Sequence, residues 1–345
     1  MKKRHLPFLL LCSYFLLLFA SCEEIIPVDP STAESQLVLN GVPSSGRQLS
    51  VFFAHSRYFL DENNDHPVDG AEVTMEVNGR TYRPDSTVRC SYYFPYTLQD
   101  DDTVAVRVNV NGTLVSAKTY VPRMPRVENL RAVIDTSGTL GSSWGLGAFR
   151  LLAIGFDLDD YPNHEDYYCI TVEQRDSGSH YRKFFNTFDT VDTTYRTYFV
   201  CLDNKINNTD VTAIDGMGGA FFTQLLFSDK KIAGKKHGVT LMIMLLSDTT
   251  ELEPYVHEYT LHVESVTPER MRYLAEVSNA TSMMQIFSEP AAIYSNVNGA
   301  LGIFAGNGRK TYPLAPDTLD MKSLPLTGLT PQTRLTPPPR HTHKK

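Results

Sequence analysis

The sequence is poor in cysteine and tryptophan, and it has no long apolar run beyond its first twenty residues. It contains five cysteines, one tryptophan and no CxxC pair. The missing CxxC excludes a cysteine-based zinc site. No later segment reaches the roughly 20 apolar residues that a membrane-spanning helix needs. No repeat recurs at a fixed period, so the chain is not a repeat array.

A basic surplus is also missing. The chain has 32 Lys and Arg against 39 Asp and Glu. Three of the basic residues lie in the first 21 positions, so a chain without that segment has 29 basic and 39 acidic residues and a net charge of −10. Nucleic-acid binding rewards clustered Lys and Arg. We therefore expect no nucleic-acid partner.

The N-terminus has the three parts of an export signal. Lys2, Lys3 and Arg4 precede a nearly continuous apolar run over residues 6–19, and small residues follow it. A charged start, a short apolar stretch and a small-residue cleavage site are typical of a signal peptide. We predict that residues 1–21 are removed. An uncleaved N-terminal anchor is the alternative.

Cys22 stands at the expected cleavage point. The run Phe-Ala-Ser-Cys (19–22) resembles a relaxed bacterial lipoprotein signal, in which the cysteine is acylated and becomes the first mature residue. Each buried methylene of an acyl chain such as palmitate contributes about 0.8 kcal/mol, so several chains anchor a protein without a spanning helix. We predict lipidation of Cys22 and attachment to a membrane by the lipid.

Two acidic residues follow the cysteine directly. Glu23 and Glu24 resemble the surface-export signal of Bacteroidetes lipoproteins. An ordinary solvated tether and retention at the inner membrane are the alternatives. We expect an outer-membrane lipoprotein that faces the cell exterior, with residues 22–34 as its tether.

The body of the chain predicts a mainly β protein. Short alternating or β-branched segments separated by turns fill residues 35–121, which favours an antiparallel β-sandwich of the immunoglobulin or transthyretin type. Pro122 and Pro125 then indicate a connector. Residues 126–316 continue the strand pattern as a larger β-rich domain. Residues 325–345 are Pro-rich and basic, and we expect them to be disordered.

Two features of the second half are specific. The runs at 149–158 and 167–174 are apolar and flank the charged insert DDYPNHED, which predicts a β-hairpin. Thr267 and Pro268 then have the residue types of an N-cap and a first helical position, and apolar residues follow at helical spacing. We predict one helix from this point.

No catalytic constellation stands out. HEYTLH (257–262) places its histidines five apart on a strand-like segment, whereas a zinc helix needs them four apart on one face. GSSWG (141–145) matches a nucleophile elbow in letters, but no helix signal follows Ser143. We predict no enzyme activity, no catalytic residue and no cofactor.

The insert DLDDYPNHED (157–166) is rich in oxygen ligands. Asp157, Asp159, Asn163 and Glu165 could bind calcium, but the segment lacks the spacing and central glycine of an EF-hand. Because Asp and Asn also favour turns, we predict no metal site. Three cysteines remain in the mature chain, Cys90, Cys169 and Cys201, and we expect buried thiols, with one disulfide as the alternative.

Several segments together resemble a known family. They are LVLNGV (37–42), VDGAEVTMEVNG (68–79), SAKTYVPRMPRV (116–127), FDLDDYPNHEDYY (156–168) and EPAAIYSNVNGALGIFAG (289–306). With the lipoprotein cysteine, their order is similar to an uncharacterised family of Bacteroidetes lipoproteins, a domain of unknown function commonly encoded beside a TonB-dependent receptor. The turn at 157–166 is more acidic than the family's usual one, and the Pro-rich tail lies outside the pattern.

The resemblance implies a function but no catalytic residues. We expect an accessory or binding partner of a TonB-dependent receptor in nutrient uptake. A stand-alone surface hydrolase, a glycan- or peptide-binding module and a purely structural envelope lipoprotein are the alternatives. Trp144, Asn296, Asn298 and Gly299 are the candidate contacts with a partner or ligand. For the Asn-Gly segment, a structural turn that locks the last strand into the second domain is the alternative.

Overall fold

A computed structural model describes residues 35–57, 66–135, 150–162, 164–182, 187–203, 206, 222–245, 256–280 and 293–315. The predicted signal peptide, the tether and the Pro-rich tail lie outside these residues, as do Cys22 and Trp144. Among the described residues, no helix is long and apolar enough to cross a membrane. The predicted mainly β class is confirmed.

The first half forms two four-stranded antiparallel sheets. Its strands are β1 (Leu37–Asn40), β2 (Gln48–His55), β3 (Glu72–Val77), β4 (Arg80–Tyr82), β5 (Ser86–Val88), β6 (Ser91–Thr97), β7 (Thr103–Val110) and β8 (Thr113–Tyr120). One sheet has the order β1-β2-β6-β5 and the other β4-β3-β7-β8. Both sheets contribute to one core, which makes this half a β-sandwich.

Alternation along the strands builds that core. In β7, Val104, Val106 and Val108 are buried while the residues between them face outward. Successive side chains of a strand point to opposite faces, so the valines share the inner face. They pack with Phe53 and Phe94 of the facing sheet. Burial of each such side chain contributes about 1.5–3 kcal/mol.

The second half forms a second sandwich. Its strands are β9 (Arg126–Asp135), β10 (Arg150–Asp159), β11 (Tyr167–Arg182), β12 (Thr187–Arg196), β13 (Val200–Cys201), β14 (Leu225–Ser228), β15 (Lys236–Leu245), β16 (Val256–Val266) and β17 (Asn307–Leu314). One sheet has the order β13-β15-β10-β9, and the other has β12-β11-β16-β17 with β14 paired to β11. The two sheets share one apolar core. Residues 36–56 and 65–315 belong to one compact unit.

The hairpin predicted between residues 149–158 and 167–174 is wrong. β10 pairs with β9 and β15, whereas β11 pairs with β12, β14 and β16 in the facing sheet. Neighbours fill both edges of β10, so β11 cannot join it. Residues 160–166 therefore cross from one sheet to the other, and we call them the crossover.

The predicted helix is confirmed. Helix α1 (Pro268–Ala280) begins after Thr267, whose Oγ1 accepts the backbone N–H of Arg270 at 3.4 Å. This is the N-cap arrangement that satisfies one of the free donors of the first turn. Met271 is buried against Cys169 and Leu226 of the second sandwich, which fixes the helix on that sheet.

Residues 296–307, which we call the return segment, contact the first sandwich. Leu301 and Phe304 form parallel bridges to Val38 and Gly41 near β1, and Phe304 is fully buried in the first core. Asn298 bridges Ser116 of β8 on the other sheet. The sequence-based boundary assigns this segment to the second domain, residues 126–316. In the structure, the segment packs against the first sandwich instead. Burial of Phe304 in the first core holds the return segment against the first sandwich.

Candidate functional site

Three aspartates meet where the crossover joins the second sandwich. Asp160 follows β10 and Asp166 precedes β11, while Asp229 opens a short 3-10 helix (Asp229–Lys231) after β14. Strand β14 pairs with β11, and Ser228 lies opposite Tyr167. The next residue, Asp229, therefore lies next to Asp166, which precedes Tyr167. The backbone N–H of Asp229 donates to the Asp166 carbonyl at 2.9 Å. We call the three residues the acidic cluster.

The carboxylates of the acidic cluster are close together and shielded. One oxygen from each of Asp160, Asp166 and Asp229 lies within 4.8 Å of the other two. Asp160 is 1% exposed and Asp229 is 2% exposed, whereas Asp166 is half-buried. Buried Asp is rare unless it is paired. The cluster therefore needs a specific explanation.

Asp160 is fixed by two hydrogen bonds. The hydroxyl of Tyr168 donates to its Oδ1 at 2.6 Å, and the backbone N–H of Gly234 donates to its Oδ2 at 2.6 Å. Tyr168 is itself 1% exposed, and its burial, followed by its bond to Asp160, raises the pKa of the phenol. Tyr168 is thus a neutral donor that orients the Asp160 carboxylate.

Asp166 and Asp229 are less well satisfied. The Oδ2 atom of each is buried and has no hydrogen-bond partner. Burial and then the charges of Asp160 and Asp229 raise the pKa of Asp166 to about 6. Burial is also the largest cause that raises the pKa of Asp229. Desolvation and like charge both disfavour an ionised carboxyl group.

Basic side chains surround the cluster but are engaged elsewhere. Arg126 pairs with Asp159 at 3.2 Å and donates to the carbonyl of Asp160. Arg123 pairs with Asp101 at 2.8 Å, and Lys230 pairs with Glu165 at 3.8 Å.

His164 and Arg123 lower the pKa of Asp166, but their effects are smaller than those of burial and the neighbouring aspartates. Within the described part of the chain, none of the three aspartates forms an ion pair. Among the described residues, cations therefore offset the negative charge of the cluster only in part.

The cluster can hold a proton or a cation. A shared proton would remove one charge, and a cation would bridge the oxygens that have no partner. General acid–base catalysis on a substrate needs a group within reach of the reacting atoms. Since Asp160 and Asp229 are almost wholly buried, the cluster does not suit that role for a polymer substrate.

The sequence indicates the insert 157–166 as a possible calcium site, but it indicates other residues of that insert as ligands. Asp157 accepts a hydrogen bond from Asn129 Nδ2 at 2.7 Å, and Asp159 pairs with Arg126. Glu165 accepts the hydroxyl of Tyr167 at 2.8 Å. These three candidate ligands do not converge, and Asn163 lies outside the described residues.

The candidate contacts in the return segment have structural partners. Asn296 bonds Phe304 twice, since its Oδ1 accepts the backbone N–H and its Nδ2 donates to the carbonyl, both at 2.8 Å. Asn298 exchanges backbone hydrogen bonds with Ser116. Gly299 has φ +79°, and a Cβ there would lie 2.7 Å from the Leu114 carbonyl oxygen. The three residues shape the turn and its close approach to β8.

The other sequence candidates divide in two groups. Cys22, Glu23, Glu24 and Trp144 lie outside the described residues. HEYTLH lies in strand β16, so it cannot form a zinc helix, and His262 Nδ1 is 3.0 Å from Thr311 Oγ1.

The cysteines Cys90, Cys169 and Cys201 are buried thiols, and no disulfide joins them. Burial raises the pKa of Cys169 and of Cys201 to about 12. Such thiols are inert at neutral pH, because the thiolate is the reactive form.

A second buried carboxylate has one amide and two guanidinium groups beside it, although Nε of Arg270 has no hydrogen-bond partner of its own. Glu264 of β16 accepts the side-chain amide of Asn307 at 3.0 Å. Its oxygens lie 3.5 Å from Arg270 and 3.5 Å from Arg309. Asn307 in turn contacts Ser44 of the first sandwich through its side chain. This group, the Glu264 network, connects both sandwiches at the end of the return segment.

Sequence comparisons place these features in a wider group. The profile of a family described as "Domain of unknown function (DUF4249)" matches residues 23–312. No curated protein matches the chain. A solved structure is described as the Enterococcus faecalis MSCRAMM ACE, which binds its ligands by the collagen hug model. It is 10% identical over 82% of this chain and 94% of that chain, with a TM-score of 0.22.

Proposed function

This chain belongs to the DUF4249 family of domains of unknown function, and we propose that it is a lipid-anchored lipoprotein of the outer-membrane surface. In this role it assists a TonB-dependent receptor in nutrient uptake as a capture or gating partner, without catalysis of its own. The proposal combines an anchor at Cys22, an outward signal at Glu23 and Glu24, and a body built of β-sandwiches.

One observation carries the anchoring part. The family match begins at residue 23, directly after Cys22. The shared domain thus starts where a lipoprotein would begin after cleavage and acylation. The basic and apolar residues before it have the composition of an export signal.

The receptor part has weaker but separate support. The segments that resemble the receptor-linked lipoprotein family lie within the matched residues 23–312. The described residues offer no exposed cluster of reactive groups, since the three cysteines and most of the acidic cluster are buried. A binding role also fits the return segment, in which Leu301 is 50% exposed, and the neighbouring Leu114 of β8, which is 60% exposed.

Anchoring is tested by replacing the cysteine. Cys22→Ala should release the protein from the membrane and remove the mass of the acyl chains, as measured by fractionation and mass spectrometry. A Cys22→Ala protein that lacks residues 1–21 and still fractionates with the membrane would contradict lipid anchoring.

The outward signal is tested with a matched pair of variants. Glu23→Ala/Glu24→Ala should reduce the accessibility of the protein to protease added to intact cells. Asp29→Ala/Glu34→Ala removes the same charge from the same predicted tether and should leave accessibility unchanged. Equal accessibility of all three proteins would contradict an export role for the acidic pair.

The receptor partner is tested by photo-crosslinking in living cells. A crosslinking amino acid at Leu114 or Leu301 should trap an outer-membrane transporter, identified by mass spectrometry. The exposed residue Arg80, on the opposite edge of the β4-β3-β7-β8 sheet, is the control position. Recovery of no transporter from either test position, with crosslinks to other proteins only, would contradict the partnership.

A further inference from the structure

The acidic cluster contains two buried oxygens to which none of the described residues donates a hydrogen bond. They are Oδ2 of Asp166 and Oδ2 of Asp229, and the Asp229 side chain is almost fully shielded from water. An isolated buried charge costs several kcal/mol unless a partner compensates it. Among the described residues, the neighbouring arginines and Lys230 are paired with other acids, so a bound cation is a candidate partner for these oxygens.

The spacing of the oxygens is compatible with a bound metal ion. Two ligands on opposite sides of a calcium ion stand about 4.6–5.2 Å apart, since each Ca–O bond is about 2.3–2.6 Å. One oxygen from each of the three aspartates lies within 4.8 Å of the others. A single ion can therefore contact all three at once.

The ligand type selects the class of ion. All three ligands are carboxylates, which are hard oxygen donors. Zinc prefers His and Cys, and magnesium is usually held by one or two carboxylates with several waters. From this we infer that Asp160, Asp166 and Asp229 bind a divalent cation of the calcium class, which links the crossover to the 3-10 helix after β14.

The hydrogen bonds around the cluster are compatible with this role. Tyr168 and the Gly234 N–H orient the Asp160 carboxylate, as outer groups commonly do for a metal ligand. Asp160 keeps acceptor capacity, since a carboxylate has about four lone-pair sites. One oxygen from each of Asp166 and Asp229 supplies a further protein ligand, and Asp166 is half-buried rather than fully enclosed.

The inference does not rest on the receptor proposal. A cation that ties two connections together acts on the stability of the second sandwich, whatever the protein binds. A calcium site of an extracellular module has a Kd of about 10⁻⁴–10⁻³ M. We expect this range because only three carboxylates are present.

The test uses the full mature chain after treatment with EDTA. Calcium at about ten times its Kd should raise Tm by about 3 °C, since a ligand that binds only the folded state stabilises it. Terbium replaces calcium at oxygen sites and emits when nearby tyrosines are excited. We expect terbium emission because Tyr168 contacts Asp160, and calcium should quench that emission by displacement.

Two variants decide whether the signal comes from the cluster. Asp229→Asn should abolish both the calcium shift in Tm and the terbium emission. The variant should fold, because the substitution removes a buried negative charge that has no ion-pair partner in the described part of the chain. We therefore expect that its Tm in EDTA will not fall. Glu165→Gln removes the same charge from the crossover outside the cluster, and both signals should persist in it.

Three outcomes would overturn the inference. They are no calcium shift in the wild type, an equal shift in Asp229→Asn, or a shift that Glu165→Gln abolishes and Asp229→Asn retains. A shift with magnesium larger than that with calcium would also contradict the assignment to the calcium class.

Discussion

The second sandwich buries carboxylates in two places, and it treats them differently. Glu264 lies between Arg270, Arg309 and the amide of Asn307. The acidic cluster brings three carboxylates together, and within the described residues no protein cation pairs with them. Glu264, Asp160 and Asp229 are all buried, so burial alone does not explain the difference.

The comparison distinguishes a carboxylate that the protein itself pairs, Glu264, from the carboxylates of the acidic cluster, which we propose to bind a ligand. A buried ion pair is self-sufficient once donors surround it, although it is not necessarily a net gain over apolar packing. A group of like charges in which two buried oxygens lack donors is unfavourable until a proton or a cation joins it. We therefore interpret the Glu264 network as a group that stabilises the fold. We interpret the acidic cluster as a binding site for a cation.

Gly306 gives the largest expected effect on the Glu264 network. A Cβ at this position would lie 1.8 Å from the carbonyl oxygen of Tyr120, so Gly306→Ala should displace the return segment and pull Asn307 away from Glu264. We expect a loss of about 4 kcal/mol in the free energy of unfolding, measured with urea. Gly238→Ala is the control, since its nearest neighbour is 3.6 Å away. Equal stability of the two variants would contradict a tight contact at Gly306.

Glu264→Gln tests whether the network needs its charge. The variant keeps the shape of the side chain but leaves Arg270 without its buried counter-charge. Removal of one partner from a buried pair costs about 3–5 kcal/mol, and we expect about 3 kcal/mol because Arg309 is partly exposed. Urea unfolding of the variant and the wild type measures it. An unchanged midpoint would show that the carboxylate is not compensated in the way we describe.

Asp229→Asn makes the same carboxylate-to-amide change in the acidic cluster. We expect it to change the free energy of unfolding in the opposite direction. In EDTA it should raise the free energy of unfolding by about 1 kcal/mol, because the variant lacks one of three repelling charges. In calcium it should be less stable than the wild type. A loss of stability in EDTA similar to that of Glu264→Gln would remove the distinction between the two places.

The smallest expected effect is a pH dependence of the metal-free protein. The pKa of Asp166 is about 6 in the folded chain against 3.8 ordinarily. The folded state thus binds more protons than the unfolded state between these values, and this stabilisation is present at low pH and lost as the pH rises through about 6.

Between pH 7 and pH 5 the contribution of Asp166 should amount to about 1 kcal/mol. The groups that act on its pKa are Asp160, Asp229, His164 and Arg123. The measurement is the difference in unfolding free energy between wild type and Asp166→Asn at both pH values. If this difference does not change with pH, Asp166 does not have a raised pKa.

The sequence predicts individual elements well where local chemistry decides them. Strand β7 (103–110) lies in the region where the sequence predicts short alternating strands, and its valines alternate with polar residues. Helix α1 begins at the predicted Pro268, because Thr267 caps it. In both cases the signal lies within a few neighbouring residues.

The candidate site could not be predicted in the same way. An apolar run, a charged turn and a second apolar run look alike whether the strands pair or cross between sheets. The sequence pattern therefore predicts a hairpin here and assigns Asp160 and Asp166 to its turn. Asp229 comes from a distant part of the sequence and joins them only because β14 pairs with β11. Long-range strand pairing of this kind leaves no local pattern.

The most direct test of the account is a crystal structure of the mature chain grown in calcium, with anomalous data. We predict a peak at the acidic cluster, about 2.3–2.6 Å from oxygens of Asp160, Asp166 and Asp229, and no peak at Glu264. A cluster with no anomalous peak at saturating calcium, its carboxylates bonded to each other through a shared proton, would contradict the central claim.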